Sequence, residues 1–206
     1  MFACSGKTVF CLYCFMNKDR LRKVYREKRM ALSAEQCRYN DEQIINHLQR
    51  VDWSACAYVH VFMAISRFNE PDLSGFVAWL RDAHPHIRVV ISRSNLLEGT
   101  MQHFVWDDDT VFVENKWGIA EPVDGLQVED QTLDVVFVPL LVADRWGHRV
   151  GYGKGFYDRF LVQCRTDVQT IGVGYFPVLA ERIDAEDWDI PLRKVVTPEG
   201  VLDTGG

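Results

Sequence analysis

The sequence predicts an α/β fold in which a mainly parallel central sheet carries helices on both faces, as a three-layer sandwich in a single domain. Short apolar stretches alternate with amphipathic ones along the chain, and this alternation is typical of parallel strands joined by crossover helices. A glycine-rich segment near residue 150 follows one apolar stretch and precedes a helical one. The 206 residues, about half of them apolar, suffice for one hydrophobic core.

Composition narrows the class of protein. The net charge of −6 argues against a general nucleic-acid binder. No apolar run approaches the roughly 18 residues of a membrane-spanning helix, and the six cysteines form no disulfide framework. We therefore expect a cytoplasmic protein with reduced thiols and no membrane or nucleic-acid partner. We also expect a monomer, although no sequence feature determines the oligomeric state.

The first sixteen residues differ from the rest. Thr8 to Met16 is apolar like a signal segment, but Asn17 and Lys18 follow in place of a small-residue cleavage site. Translation that starts at Met16 is the hypothesis we favour, because the rest of the predicted domain begins just after it. We expect residues 1–16 to be a poorly ordered or mis-assigned extension, and residues 17–206 to be the single domain.

Two helices open that domain. Lys18 to Leu32 consists of good helix formers, and Ser33 with Gln36 forms a capping box that starts a second helix reaching about Arg50. Seven cations lie between Lys18 and Arg29. Their spacing places Lys18, Arg22, Arg26 and Arg29 on a face away from the apolar stripe, and the pattern alone favours a solvated face. The apolar stripe consists of Leu21, Val24, Tyr25 and Leu32.

The middle of the chain alternates strand and helix. We expect a buried strand over Trp53–Ala64, a helix with Pro71 in its first turn that ends near Ala83, and a strand over Ile87–Ser92. Gln102–Trp106 and Thr110–Val113 indicate a hairpin.

Three consecutive aspartates, Asp107 to Asp109, fall in the turn of that hairpin. Consecutive turn positions do not converge on one metal ion, so we interpret them as a solvated loop. An extended, proline-bounded stretch follows over Trp117–Val123.

The last third repeats the alternation. Leu133–Val142 is a strand that feeds the glycine-rich segment, Phe156–Cys164 is the helix that leaves it, and Thr170–Tyr175 is a further strand. A short final strand precedes Thr197. Ligands of open α/β sheets bind beyond the carboxyl ends of such strands.

The glycine-rich segment concentrates the candidate chemistry. Glycines at 147, 151, 153 and 155 allow positive φ and close approach of backbone N–H groups to a ligand, and the helix that follows adds the positive end of its dipole. Lys154 and Arg149 supply cations, and the rings of Tyr152, Phe156 and Tyr157 favour a pocket over a flexible surface turn. The segment predicts a phosphate site.

Neither familiar nucleotide loop fits. The dinucleotide fingerprint requires its first glycine close to the strand and an acidic residue after the next strand, and both features are absent. The Walker A pattern requires Ser or Thr where Gly155 stands. A dinucleotide-dependent oxidoreductase is therefore the weakest of the functional hypotheses.

The stretch Asp144–Leu161, together with Val138-Pro139-Leu140-Leu141, resembles the signature of the 5-formyltetrahydrofolate cyclo-ligase family. The resemblance extends more thinly from about Lys18 to Glu199. It implies a Rossmann-like fold and an ATP-dependent enzyme that closes 5-formyltetrahydrofolate to 5,10-methenyltetrahydrofolate with release of ADP and phosphate. In that reaction the formyl oxygen takes the γ-phosphoryl group, and N10 of the folate then attacks the activated carbon.

The resemblance also implies site residues, which we group by role. Lys154 and Arg149 would be catalytic, and Asp158 and Asp189 would hold Mg²⁺. ATP would contact Lys18, Arg22, Arg149, Gly151, Gly153, Lys154, Gly155, Phe156 and Tyr157. The folate would contact Met63, Glu70, Trp117, Glu121, Tyr152 and Phe156.

Two positions depart from the family pattern. Relatives place a folate-holding Glu about five residues after the position of Met63, where this chain has Phe68, with Glu70 the nearest acid. They also carry an Asp near the chain end where this chain has Arg193. An altered substrate, or Glu70 reaching in from a shifted turn, would each explain the first departure. A nucleotide- or sugar-phosphate-binding module without folate chemistry is the alternative function.

Overall fold

The computed structural model describes residues 17–116 and 118–205. The expectations for residues 1–16 and for Trp117 lie outside the described residues.

Four α-helices are described: α1 (Lys18–Met30), α2 (Ala34–Leu48), α3 (Ser74–Ala83) and α4 (Phe156–Gln163). The described strands are β1 (Tyr58–His60), β2 (Arg88–Asn95), β3 (Thr100–Val105), β4 (Phe112–Glu114), β5 (Ala120–Pro122), β6 (Gln127–Val128), β7 (Val135–Pro139), β8 (Val142–Ala143), β9 (Arg149–Val150), β10 (Gln169–Val173), β11 (Lys194–Thr197) and β12 (Gly200–Asp203). Two short 3₁₀ turns cover Ser66–Phe68 and Asp130–Thr132.

The central sheet has eight strands in the order β12-β11-β10-β7-β1-β2-β3-β6. The five strands from β11 to β2 run parallel, while β12, β3 and β6 add antiparallel edges. From β1 the chain first extends the sheet toward β2 and later returns to the other side at β7. Such a reversal leaves a crevice at the carboxyl ends of the strands.

Two apolar layers cover the sheet, one on each face. Ile44 and Leu48 of α2 and Phe76 of α3 pack on one face, and Phe160 and Leu161 of α4 pack on the other. The strands between them are buried on both faces, so β7 reads as a continuous apolar run. The predicted α/β class with a mainly parallel sheet and helices on both faces is confirmed.

Helix α1 shows one error of the sequence interpretation. Asn17 caps its N-terminus by accepting hydrogen bonds from the backbone of Asp19 and Arg20. Arg29, expected on the solvated face, is buried, whereas Val24 of the predicted apolar stripe is exposed. Contacts with the Phe68 carbonyl, the Tyr152 hydroxyl and the Glu70 carboxylate draw the Arg29 guanidinium inward.

Helix α2 begins as predicted. Ser33 accepts a hydrogen bond from the Gln36 backbone, and the Gln36 side chain accepts one from the Ser33 backbone, which completes the capping box.

Several predicted elements have different bounds or partners. The stretch Leu133–Val142, predicted as one strand, contains β7, and its last residue begins β8, which belongs to a separate two-stranded sheet. The stretch predicted as a strand from Trp53 contains only the three residues of β1, and α3 begins at Ser74, three residues after Pro71. The predicted hairpin is wrong: β3 pairs with β2 and β6, and β4 pairs with β5. Both halves are strands, but each finds its hydrogen bonds elsewhere.

Candidate active site

A cavity of about 410 Å³ opens at the carboxyl ends of β1, β2 and β7. This volume lies in the range of small-molecule sites. Every described residue that the sequence proposed for a ligand borders this cavity: Lys18, Arg22, Met63, Glu70, Glu121, Arg149, Gly151, Tyr152, Gly153, Lys154, Gly155, Phe156, Tyr157, Asp158 and Asp189.

Asp144 organises the approach to the glycine-rich segment. Its carboxylate is fully buried and accepts hydrogen bonds from the backbone N–H groups of Trp146, His148 and Ile183 and from the His148 ring. These contacts hold the hairpin of β8 and β9, from which the segment enters the cavity. The side chain therefore supports the loop from behind.

Two glycines fulfil the expectation of a left-handed backbone at the cavity. Gly153 has φ of 79° and Gly155 has φ of 67°. A Cβ on Gly153 would lie 3.0 Å from the Arg22 guanidinium, and one on Gly155 would lie 2.9 Å from the Arg159 guanidinium. Gly155 is also the residue from which α4 starts. The loop thus requires glycine for its conformation and for the close approach of two cations.

Helix α1 contributes its cations to the same place. Arg22 Nε donates to the Gly151 carbonyl at 2.9 Å, and Lys18 forms an ion pair with Asp189. Lys154, in the loop itself, is exposed at the cavity mouth. Three cations from two distant stretches of sequence therefore border one opening.

Arg149 and Asp158 form a second ion pair, with 2.6 Å between Nη2 and Oδ1. The other terminal nitrogen of Arg149 donates to the Ile190 carbonyl at 2.6 Å, and the Ile190 N–H contacts Asp158 at 3.3 Å. The guanidinium is thereby fixed in orientation at the cavity wall. Asp158 and Asp189, the two residues proposed for Mg²⁺, both border the cavity.

These carboxylates fit Mg²⁺ only in combination with a ligand. Within residues 17–116 and 118–205, no cluster of three or more His, Cys, Asp or Glu side chains could hold a metal ion. Mg²⁺ is commonly bound by one or two carboxylates, with phosphate and water oxygens completing its shell. Asp158 and Asp189 meet that requirement, since both border the cavity that the cations line.

A buried polar cluster of Arg29, Glu70 and Tyr152 lies beside the glycine-rich loop. The Glu70 side chain is 2% exposed and lies 4.0 Å from an Arg29 terminal nitrogen, while Arg29 also donates to the Phe68 carbonyl at 2.8 Å and to the Tyr152 hydroxyl. Burial raises the pKa of the Glu70 carboxyl. Burial and the neighbouring Glu70 charge also raise the pKa of the Tyr152 hydroxyl.

The departure at Phe68 has a structural explanation. Phe68 packs beside Tyr152, with 5.7 Å between ring centroids, and Asn69 takes a left-handed conformation with φ of 49°. This turn directs Glu70 into the cavity wall, where its carboxylate accepts the Ile65 N–H at 2.8 Å. Of the two explanations, the shifted turn that brings Glu70 inward matches the observed geometry.

Glu121 and Arg193, two further positions that the sequence analysis named, differ in location: Glu121 borders the cavity and Arg193 does not. The Glu121 carboxylate borders the cavity and accepts the backbone N–H of Ser94 at 2.9 Å. Arg193, at the second departure, donates to the Thr166 carbonyl at 2.8 Å, and it is absent from the described cavity wall.

Sequence reasoning missed two contributors. Arg29 carried no signal beyond its place in a cationic helix, although it anchors Glu70 and Tyr152. Ser92, on β2, borders the cavity between Ile91 and Arg93 of the chain, and nothing in its local sequence distinguished it.

Fold and cavity together define a general class, that of α/β proteins with one ligand cleft at the carboxyl edge of a parallel sheet. The sequence model of the 5-formyltetrahydrofolate cyclo-ligase family matches residues 15–198. The chain belongs to this family. The predicted family and the prediction of a ligase-class enzyme are confirmed.

Individual relatives agree with that assignment. The 5-formyltetrahydrofolate cyclo-ligase of Escherichia coli K12 is 30% identical over 182 residues, which cover 85% of this chain and 97% of that protein. The structure of 5,10-methenyltetrahydrofolate synthetase from Aquifex aeolicus has a TM-score of 0.78 and 28% identity, covering 92% of this chain and 93% of that one. A Mycoplasma pneumoniae synthetase, at 23% identity and a TM-score of 0.68 over 88% of this chain and 98% of that one, shares the fold.

Proposed function

We propose that this protein uses ATP and Mg²⁺ to close 5-formyltetrahydrofolate to 5,10-methenyltetrahydrofolate, releasing ADP and phosphate. The observation that carries the proposal is the convergence of Lys18, Arg22 and the glycine-rich loop on one cavity that is also lined by apolar side chains and carboxylates. Family membership and the names of the relatives support the same activity.

The cationic side of the cavity suits a triphosphate. Catalysis of phosphoryl transfer consists mainly of positioning and charge neutralisation. Lys154 reaches the cavity from the loop, Arg149 is held by Asp158, and Lys18 and Arg22 approach from α1. In the proposed reaction the formyl oxygen attacks the γ-phosphorus, and the bond to the departing ADP oxygen breaks.

The apolar part of the cavity lining suits the flat rings of a folate. Met63, Phe156 and Tyr152 supply aliphatic and aromatic surface, and Glu70 and Glu121 supply hydrogen-bond acceptors. N10 then attacks the carbon that bears the phosphorylated oxygen and loses its proton, and phosphate departs with the electron pair of the carbon–oxygen bond. These reaction steps require no protein nucleophile.

Mg²⁺, held by Asp158 and Asp189, would neutralise charge on the transferring phosphoryl group. Those two carboxylates lie against Arg149 and Lys18, so protein cations keep them in place before nucleotide binds.

The test is an absorbance assay in the near ultraviolet, where a methenyl-folate absorbs. Purified protein, 5-formyltetrahydrofolate and Mg²⁺ are mixed with ATP, with ADP, or without nucleotide. A rise that depends on ATP supports the ligase. ATP binding without any rise would contradict it and favour the nucleotide- or sugar-phosphate-binding module, since the cationic loop alone accounts for such binding.

A further inference from the structure

Four polar side chains, those of His60, Ser92, His103 and Asp130, lie in sequence on the α4 face of the sheet, and they lead from the cavity to the protein surface. Ser92 of β2 lies directly opposite His103 of β3 in the antiparallel register. The Ser92 Oγ atom is 3.0 Å from His103 Nδ1 and 2.7 Å from His60 Nε2. On the other side of the His103 ring, Nε2 lies 3.2 Å from an Asp130 carboxylate oxygen.

The four side chains differ in burial along this path. Ser92 is half-buried and borders the cavity, whereas the side chains of His60 and His103 are buried. The Asp130 side chain is 24% exposed and so reaches solvent. The chain therefore connects a ligand cavity with bulk water through the protein interior.

The charged partner determines the direction of the hydrogen bonds. The Asp130 carboxylate favours a proton on His103 Nε2, although it approaches too obliquely for a well-aligned hydrogen bond. Nδ1 of His103 is then an acceptor, and the Ser92 hydroxyl donates to it. Burial and the neighbouring His103 lower the pKa of His60, which is consequently neutral and able to donate through Nε2 to the Ser92 oxygen.

Ser92 is left with one lone pair, directed away from its two histidine partners. A ligand group that meets this oxygen in the cavity must be a donor, such as an N–H. His103 is held for this role by stacking on Phe160 of α4 at 4.1 Å between ring centroids. The groups that face His103 are thus Asp130, Ser92, His60 and an apolar ring.

We propose that Ser92 accepts the N10 proton of the folate during ring closure and that His103, paired with Asp130, accepts the proton which Ser92 gives up. This inference rests on the proposed function and adds to it a path for the proton that cyclisation must remove. Ser92 is the catalytic residue of the path, and His103 and Asp130 are positioning residues.

The step balances without a further reagent. The N10 lone pair forms the bond to the activated carbon, the N10 proton moves to Ser92 Oγ, and the Ser92 proton moves to His103 Nδ1. The imidazolium so formed faces the Asp130 carboxylate. As the carbon–oxygen bond breaks, phosphate departs with its electron pair, and the proton returns through Ser92 to phosphate or water.

Matched substitutions test the relay. Ser92→Ala removes the hydroxyl, Ser92→Thr keeps it, and His103→Gln removes the acceptor basicity while retaining polarity. General-base catalysis contributes about 10²-fold or more, so we expect kcat to fall about that much in Ser92→Ala and His103→Gln, with KM for ATP within about threefold of wild type. Ser92→Thr recovers most of the rate. His47→Gln, remote on α2, is the control and leaves kcat unchanged.

A second readout does not depend on turnover. Long-range ¹H–¹⁵N NMR of the histidine rings reports the tautomer, and we expect His103 to carry its proton on Nε2 in wild type and to shift its Nδ1 signal in Ser92→Ala. A wild-type protein without methenyl product would defeat the proposed function, while the NMR result would still test the hydrogen-bond chain. Normal kcat in a folded Ser92→Ala variant, or a His103 proton on Nδ1, would overturn the relay.

Discussion

At the scale of single residues, Lys154 differs from the other cations of the cavity in its surroundings. Lys18 and Arg149 contact carboxylates, whereas the Lys154 side chain is exposed at the cavity mouth within the glycine loop. A hydrogen bond to a charged group is commonly equivalent to a factor of about 10–100 in affinity. We expect Lys154→Ala to raise KM for ATP at least about tenfold and to lower kcat, with an unchanged circular dichroism spectrum.

Lys23→Ala is the matched control for that change, because Lys23 is an exposed lysine of α1 that does not border the described cavity. Steady-state kinetics at saturating folate measures both variants. Unaltered ATP kinetics in Lys154→Ala would show that the loop has been assigned to the wrong ligand.

The buried pair of Arg29 and Glu70 leads to a second prediction at the residue scale, which concerns the free energy of unfolding. Both side chains are almost fully buried, and removing one member of a buried ion pair commonly costs about 3–5 kcal/mol. Arg29→Met should therefore lower the free energy of unfolding by about 3 kcal/mol at neutral pH. Arg26→Met, on the exposed side of α1, should cost under about 1 kcal/mol.

The raised pKa of Glu70 determines how this residue makes the stability of the fold depend on pH. Because burial raises its pKa, the folded state holds the Glu70 proton more tightly than the unfolded state does. The contribution of Glu70 to the free energy of unfolding is then greatest below the ordinary glutamate pKa. It falls as pH rises through the raised pKa of Glu70 in the folded state. Loss of Arg29 deepens that fall, and Glu70→Gln introduced into the same variant abolishes it, because glutamine does not titrate. Urea titrations at pH 5 and 8 measure this, and an equal loss at both values would contradict the argument.

At the scale of elements, the junction between the glycine loop and α4 is the most constrained turn of the site. Gly155 combines a φ of 67° with a guanidinium 2.9 Å from where a Cβ would stand. Gly155→Ala should cost about 1–2 kcal/mol of stability, since a left-handed backbone is unfavourable for alanine. Gly151→Ala is the comparison for stability, because its Cβ would have its nearest contact at 4.0 Å and its φ is not positive. Thermal unfolding of the two variants measures the difference, and equal losses would contradict it.

The same scale shows what local pattern can and cannot predict. The Ser33–Gln36 box and the start of α4 depend on neighbouring residues and were predicted correctly. The pairing of β3 with β2 rather than β4 depends on residues distant along the chain, and apolar alternation does not encode a partner. Arg29 was misplaced for a similar reason, since its partners Glu70 and Tyr152 are about 40 and 120 residues away.

At the scale of the whole molecule, alternation of strands and helices predicted a parallel sheet, but the strand order required the structure. The order places the ends of β1, β2 and β7 side by side, and the cavity forms there. The site residues came mostly from a dense motif, which is why the loop was anticipated. Ser92 and His103 meet only through cross-strand register, so no spacing in the sequence could indicate them.

The cavity also joins distant parts of the chain, and ligand binding should therefore stabilise the entire fold. Arg22 links α1 to the loop at Gly151, and Lys18 links α1 to Asp189 near the other end of the chain. ATP with Mg²⁺ at about 100 times its Kd should add about 2.7 kcal/mol to the free energy of unfolding. For a chain of this length that corresponds to a rise in Tm of roughly 5–10 °C. Differential scanning fluorimetry measures it, with Mg²⁺ alone and Lys154→Ala as controls that shift Tm much less. No shift at millimolar ATP, or a shift in Lys154→Ala as large as in wild type, would contradict ATP binding in this cavity.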